Sequence, residues 1–396
     1  MHDCDTRWCI LADVGAPNPF TFGALALDEG FVDREQELAA LVRDLANGQD
    51  VVIHAPRRYG KTSLALRAAG SATRKGVLVA YCDLMRTPTK TRFAAALAKT
   101  IYDDLASPLG EALERVASLF RGLRVRPTVE VDLDGDLRFV FEPVRRSADI
   151  DATIERLLEL PAELAAERGR RVCLVLDEFQ EVLTLDQTLP NVMRAVFQTQ
   201  PEVAHVYLGS RRHVLDQIFE DRNAPFWRSA KHVELGRLPA ASVGQLLRDR
   251  FAATERAIDD DALARVADLT GGHPYATQEL AYFTWERVPV GHAAHAADVE
   301  QALAQVLRSE HNNLTRLWED ATPNERLLLL ALSGEPGGVY GEAYRRRHGL
   351  PAAASVQRAV ASLDRAGVIE RVPVGGYAIA EPFLVEWLER REGWRS

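Results

Sequence analysis

Cysteine is scarce: four in 396 residues are too few for a disulfide framework in a chain of this length. Cys82 and Cys173 sit inside apolar strand patterns and read as small buried side chains. Cys4 and Cys9 have no second Cys/His pair at ligand spacing, which argues against a zinc site. Long apolar runs are missing too, and nothing approaches the roughly 18–20 residues that a membrane-spanning helix needs. The first residues carry Asp3 and Asp5 and no basic-then-apolar run, so no secretory signal is expected and a reducing cytoplasm is the expected compartment. Positive charge is in deficit. A formal net charge of −9 argues against a protein that coats nucleic acid or an anionic membrane non-specifically, and leaves room only for a local basic face. What remains is a globular composition, 47% apolar and 27% charged, with enough length for two or three cores.

One stretch organises the rest. A short β-branched run, Val51-Val52-Ile53-His54, leads into Ala55-Pro56-Arg57-Arg58-Tyr59-Gly60-Lys61-Thr62-Ser63 and then turns helical. The spacing is that of a phosphate-binding loop, G-x-x-x-x-G-K-[ST], except that Ala55 replaces the first glycine. Gly60 allows close approach of the backbone to a phosphate, and the loop N–H groups and helix N-terminus supply a fixed positive field. Lys61 is suited to reach β/γ-phosphates and Thr62 to ligate Mg²⁺. Pro56, Arg57, Arg58, Tyr59 and Ser63 complete the candidate nucleotide-binding loop. At Ala55 a Cβ meets a position expected to need positive φ, at a cost of roughly 1 kcal/mol.

A second pattern lies more than 110 residues downstream. Five apolar residues from Val172 to Leu176 end in Asp177-Glu178, the form of a buried strand presenting two acids. This is a Walker B pattern, in which Asp177 would hold the Mg²⁺ shell and Glu178 would polarise the attacking water. A third strand pattern, His205–Leu208, ends in Gly209-Ser210-Arg211. Ser210 is the candidate for a hydrogen bond to the γ-phosphate or the water, with Arg211 as a charge partner. Arg228, just before the strand pattern Lys231–Leu235, is an arginine-finger candidate for a neighbouring subunit's site. Asp83, at the end of the strand pattern Val77–Asp83, reads as a turn residue or a group near the metal.

In chain order, residues 1–30 read as an irregular arm. A helix then carries Leu38, Leu41, Val42 and Leu45 on one face and stops near Gly48. Phe31 and Val32, just ahead of it, are candidates for the adenine floor. The ATPase-type core is expected over 31–237, with an inserted region at about 106–150. In that insertion Val129, Val131 and Leu133 alternate up to Asp134-Gly135, and Leu137, Phe139 and Phe141 alternate away, a hairpin pattern. Helices are predicted over Phe93–Leu105 and Ile154–Ala166. From 238 to 318 the pattern reads as all helical, with Gly271-Gly272-His273-Pro274 as a stop and restart and one long polar helix over Ala297–Glu319. From 319 to 396, three helices and a ribbon (Val368–Val372, Tyr377–Ala380) read as a winged helix. From Tyr340 onward nine arginines face seven acids, a weak footprint for a DNA reader.

With these motifs, the chain from about Pro19 to Trp387 resembles the archaeal-type AAA+/STAND ATPases, a group related to initiator-type AAA+ proteins. The resemblance rests on Phe31-Val32-Asp33-Arg34-Glu35, on the loop Ala55–Ser63, on Leu176-Asp177-Glu178-Phe179-Gln180, and on Gly209-Ser210. It extends through Leu269–Tyr275 and the terminal Glu381–Leu388. It implies an α/β P-loop NTPase core with a parallel sheet, a helical lid and a C-terminal winged helix, with ATP and Mg²⁺ as ligands. It also raises Pro274 from a helix-cap residue to a candidate adenine contact. Ala55 and Asp33 stand where the family often has glycine. The function expected is a Mg²⁺-dependent ATPase acting as a nucleotide-controlled switch, whose tail engages a protein partner and which self-associates in a nucleotide-dependent way. The rival is an initiator- or loader-like ATPase whose winged helix grips double-stranded DNA. A metabolic kinase is disfavoured, because no acceptor pocket is visible and the tail would be unexplained.

Overall fold

The computed structural model describes residues 16–23, 34–106, 125–131, 137–143, 150–372 and 375–393. They form two compact units. One is Arg34–Gly236; the other is Arg237–Ser396 together with the N-terminal segment. Among the described residues no helix is long and apolar enough to cross a membrane.

In the first unit, helix α1 (Glu35–Asn47) buries Leu41, Val42 and Leu45. It precedes strand β1 (Val51–His54), helix α2 (Lys61–Arg74), strand β2 (Leu78–Asp83) and helix α3 (Lys90–Thr100). The helix expected over Phe93–Leu105 begins three residues earlier, because the Thr89 side chain caps it by accepting from the Arg92 N–H, and past Thr100 it loosens into a π-helical turn, Ile101–Ala106. That turn has a purpose. Asp104 accepts from the Tyr81 N–H at 3.0 Å and Thr100 donates to the Tyr81 carbonyl at 3.2 Å, so backbone groups on the outer edge of β2 find side-chain partners. The hairpin expected in the insertion is present: β3 (Val125–Val131) pairs antiparallel with β4 (Leu137–Pro143), Val131 opposite Leu137. Leu133 and Asp134-Gly135 lie outside the described residues.

Helix α4 (Ile150–Arg168) leads into β5 (Val172–Asp177), followed by helices α5 (Val182–Leu185) and α6 (Leu189–Phe197), strand β6 (Val203–Gly209), helix α7 (Arg212–Phe219) and strand β7 (Lys231–Glu234). The five core strands form one sheet in the order β2-β5-β6-β1-β7, and every neighbouring pair is parallel. Every residue of β5 and β6 is buried, which explains their near-continuous apolar sequences: central parallel strands are covered on both faces. β7 at the edge is mostly exposed and correspondingly polar. Phe179, Tyr207, Phe219 and Phe226 pack ring against ring beneath the carboxyl end of β5, with Phe179 and Tyr207 centroids 4.6 Å apart.

The second unit holds α8 (Ala240–Ala252), β8 (Ala257–Ile258), α9 (Asp260–Thr270), α10 (Pro274–Trp285), β9 (Ala293–Ala294), α11 (Ala296–Ser309) and α12 (His311–Asp320). Two expectations need correction. The region is not all helical, since β8 and β9 form a two-residue parallel pair. Nor does one long helix span Ala297–Glu319. The chain breaks at Glu310, and the two pieces bury separate stripes, Val299, Ala302, Leu303, Val306 and Leu307 on α11 and Leu314 and Trp318 on α12. Glu310 has φ −85° and ψ 0°, a ψ outside the α-helical range, and this ends α11.

The tail follows the winged-helix order: α13 (Pro323–Gly334), α14 (Glu342–Arg347), α15 (Ala353–Ala366), then the ribbon β10 (Ile369–Arg371) and β11 (Tyr377–Ile379), then α16 (Pro382–Gly393). Gly337 adds a third backbone to the ribbon by exchanging hydrogen bonds with Tyr377, both 2.9 Å. Residues of α8–α12 and of the tail share one continuous hydrophobic core, from Leu247 and Val266 through Leu303 and Leu329 to Phe383. Arg237 ties the same parts by polar contacts, bonding Glu370, the Thr270 carbonyl and the Ala380 carbonyl. The close approach at Gly272 needs glycine: its φ is +73°, and a Cβ there would lie 2.1 Å from the Leu238 carbonyl oxygen. The arm is part of this unit. Phe20 is fully buried against Phe251, and Asn18 donates to the Tyr282 carbonyl at 3.2 Å.

Candidate functional site

Because the sheet is parallel, the loops leaving β1, β5 and β6 emerge from one edge, and β6 lies between the other two. Open parallel sheets bind ligands at that edge. Five of the residues singled out by sequence meet there: Lys61, Thr62, Asp177, Glu178 and Ser210.

Lys61 is 5% exposed, and its Nζ donates to the loop's own carbonyls, Ala55 O at 2.9 Å and Pro56 O at 3.1 Å. Burial pushes its pKa down, while the Glu178 and Asp177 carboxylates oppose that shift. A buried ammonium held by two neutral carbonyls is a site prepared for an anion. Each such hydrogen bond is worth about 1.5–3 kcal/mol. One phosphate charge about 4 Å away contributes about 4 kcal/mol at an effective dielectric of about 20, and a triphosphate brings several. The lysine should therefore leave the carbonyls when phosphate arrives. Gly60, at φ +84°, starts α2 without a side-chain cap, leaving first-turn N–H groups for an anion. Around them Pro56 is half-buried, Arg57 and Arg58 are exposed, and Tyr59 and Ser63 are buried.

The strain expected at Ala55 is elsewhere. Among the described non-glycine residues, positive φ occurs at Arg58, Glu178, Arg228 and Glu255, not at Ala55. The loop reaches its shape through Arg58 and Gly60, so the Cβ of Ala55 fits an ordinary backbone and is 3% exposed.

Thr62 Oγ1 donates to Asp177 Oδ2 at 2.7 Å, and the Tyr81 hydroxyl donates to the same oxygen at 2.7 Å. Asp177 Oδ1 accepts from the Glu178 N–H at 2.8 Å. Burial and the neighbouring carboxylate push the Tyr81 pKa upward, so the phenol stays a donor. Among the described residues no group of three or more His, Cys, Asp or Glu side chains could cage a metal ion. The hydroxyl–carboxylate pair nonetheless suits Mg²⁺, a hard cation that takes oxygen ligands and draws the remainder from phosphates and water.

Glu178 is left-handed, φ 52° and ψ 47°, which lets the chain turn between buried Asp177 and buried Phe179. Ser210 Oγ donates to Glu178 Oε2 at 2.7 Å, and Gln180 Nε2 donates to the same oxygen. The remaining candidates lie elsewhere. Arg211 pairs with Glu181 at 3.3 Å. Asp83 caps the short turn after β2, accepting from the Met85 N–H at 3.0 Å, and pairs with Arg86. Arg228 is exposed, its guanidinium 4.8 Å from the Trp227 ring centroid. Pro274 is the first residue of α10, where His273 caps the helix by accepting from the Ala276 N–H, and it belongs to the second unit. Phe31 and Val32 lie outside the described residues. Sequence reasoning gave no role to Tyr81 or Gln180. The available signals were a phenol inside an apolar strand, which needs a partner when buried, and an amide among the apolar residues that follow the two acids.

The family described as "ATPase domain predominantly from Archaea" matches residues 31–280, and the family described as "Probable winged helix domain" matches residues 312–390. Two solved structures share the fold. A Walker-type ATPase of Pyrococcus abyssi superposes with a TM-score of 0.64 at 15% identity, covering 91% of this chain and 97% of that one. The ORC2 protein of Aeropyrum pernix, solved as ADPNP–ADP complexes, superposes with a TM-score of 0.54 at 16% identity, covering 95% of this chain and 100% of that one. No curated protein matches.

The geometry at Ala55 makes a signed prediction. Ala55→Gly should lower stability by about 0.5–1 kcal/mol, since it frees the unfolded chain without relieving any strain. The midpoint of chemical denaturation measures this, and a rise in that midpoint would show that Ala55 is strained after all.

Proposed function

We propose, for a chain that belongs to the family of ATPase domains predominantly from Archaea, that it binds ATP with Mg²⁺ and hydrolyses it. In this reading the nucleotide state acts as a switch that a partner reads through the winged-helix tail. One observation carries the reading: a buried ammonium, a hydroxyl–carboxylate pair and a second carboxylate held by a serine converge on one edge of a parallel sheet.

Lys61 moves its ammonium from the Ala55 and Pro56 carbonyls onto β/γ-phosphate oxygens. The loop from Pro56 to Ser63 wraps the phosphates, with Arg57 and Arg58 adding positive charge at its rim. Thr62 and Asp177 hold the cation, and the Tyr81 hydroxyl keeps the Asp177 carboxylate oriented, as outer hydrogen bonds do for metal ligands. Bound Mg²⁺ supplies Lewis acidity, drawing charge off the phosphate oxygens. Glu178 accepts a proton from the attacking water, and Ser210 donates to the γ-phosphate or to that water. Arg228 is assigned to a neighbouring copy's site; its exposure supports that role. Phe31 and Val32 are assigned to the base.

A second reading, DNA binding by the tail, is favoured by exposed Gln357, Arg358 and Arg365 on α15. It is weakened by Arg347, whose guanidinium is held by both oxygens of Glu335 at 2.6 Å, and by the pairing of Arg346 with Glu342 at 3.9 Å. The tail is therefore assigned first to a protein partner.

Phosphate release and nucleotide binding by the full chain test both readings. Glu178→Gln should keep ATP binding while turnover falls by about 10²–10⁴, the range for losing a general base. Lys61→Ala should weaken ATP binding at least about 100-fold, or about 2.7 kcal/mol. Turnover at the parent rate in the first variant, or parent affinity in a folded second variant, contradicts the assignment. Anisotropy titration of duplex DNA at low salt decides the tail: no binding below about 10⁻⁴ M, the weak end of non-specific affinity, removes the DNA reading.

A further inference from the structure

Glu178 Oε2 accepts two hydrogen bonds, from Ser210 Oγ and from Gln180 Nε2. Ser210 lies at the sheet edge, where a phosphate would compete for its hydroxyl. Gln180 lies below that edge and is 2% exposed. It follows the two acids on a short 3-10 turn, Phe179–Glu181, and Phe179 anchors that turn in the aromatic cluster, so the amide's position is set by the core and not by solvent.

The orientation of the amide is determined. With the amide reversed, its carbonyl oxygen would face a carboxylate oxygen, which is repulsive; only the NH₂ end can face Glu178. The other end, Gln180 Oε1, finds no hydrogen-bond donor among the described residues. It lies against β6 at Gly209, where a Cβ would come within 2.5 Å of it. A buried amide with one end unsatisfied is a poor packing residue, because an apolar side chain of the same volume would fill the space without that loss. The amide costs more here than an apolar side chain would, and what it gains is one bond to the carboxylate that the proposed function makes the general base.

We propose that Gln180 is a positioning residue for that base, an inference that rests on the ATPase reading of the site. Without nucleotide, Ser210 and Gln180 together hold Oε2 and park the carboxylate. When a phosphate takes the Ser210 hydroxyl, Gln180 is the donor that remains, and it fixes Oε2 so that Oε1 is directed at the water. Small errors in the placement of a reacting group cost about 100-fold in rate, so the loss of this donor should appear in turnover and not in affinity.

The test uses the full chain with ATP and Mg²⁺, a non-hydrolysable ATP analogue as binding probe, and phosphate release as readout. Gln180→Met keeps the volume and removes the donor; Gln180→Asn keeps an amide but withdraws it by one methylene. Both variants should bind the analogue within about twofold of the parent and lose about 10- to 100-fold in kcat. Placed in the Glu178→Gln background, the same changes should leave the residual rate within about twofold, because there is no base left to position. A purely structural role predicts equal losses in both backgrounds, and that result overturns the proposal. So does parent-level kcat in Gln180→Met, or a loss of affinity that matches the loss of rate. If Glu178→Gln itself turns over at the parent rate, the general-base reading fails first. If that variant is inactive while Gln180→Met is fully active, only the positioning role fails.

Discussion

Parallel alignment of β5, β6 and β1 is the constraint on which the site depends. It brings a lysine, a threonine, two acids and a serine from three distant parts of the sequence to one edge, with Thr62 and Asp177 in contact across 115 residues of chain. The alignment in turn depends on burial of β5 and β6 on both faces, which their near-continuous apolar sequences allow. Apart from His205, whose ring and N–H pair with Asp50, polar residues come where the strands end, and there Asp177, Glu178 and Ser210 lie. Core and site are thus two consequences of one pattern, in which apolar strands close with polar residues at their carboxyl ends.

At that edge the charges are held in readiness. Lys61 is buried on neutral carbonyls, Asp177 is fixed by two hydroxyls and a backbone N–H, and Glu178 is held by a serine and a glutamine. The contacts of Lys61, Thr62 and Ser210 can be exchanged for contacts to phosphate, cation or water without moving the sheet, while Tyr81 and Gln180 keep theirs. Preorganised groups of this kind lower the cost of reorganisation when ligand binds. The second unit has a different cohesion. The arm residue Phe20, the helices α8–α12 and the winged-helix tail share one core, and Arg237 adds polar ties within it.

Much of this was legible in the sequence, for identifiable reasons. Four of the five core strands announced themselves by β-branched and apolar runs, polar β7 did not, and the loop before Lys61 was marked by its spacing. The winged-helix order followed from helical periodicity and from the glycines of the ribbon. Other features depend on tertiary contacts that no local pattern carries. The φ of Ala55 is set by how the loop meets β6, where its N–H reaches the Gly209 carbonyl at 3.4 Å, and Arg58 takes the unusual conformation instead. The break at Glu310 is a change in one backbone angle, ψ 0°, that periodicity does not announce, since Leu314 and Trp318 continue the helical spacing of Leu303 and Leu307. Tyr81 and Gln180 acquire roles only when β2 and the turn after β5 are folded beside Asp177 and Glu178. The burial of Phe20 could not be read from an arm rich in turn formers.

The central claim is that this edge binds a nucleotide triphosphate together with a cation. Calorimetric titration of the unaltered full-length chain with ATP, in Mg²⁺ and again in excess EDTA, tests it most directly. The account predicts one ATP per chain, with affinity at least about tenfold weaker, or about 1.4 kcal/mol, once the cation is removed. No binding at millimolar ATP with Mg²⁺ present, or equal affinity in the two conditions, would contradict it.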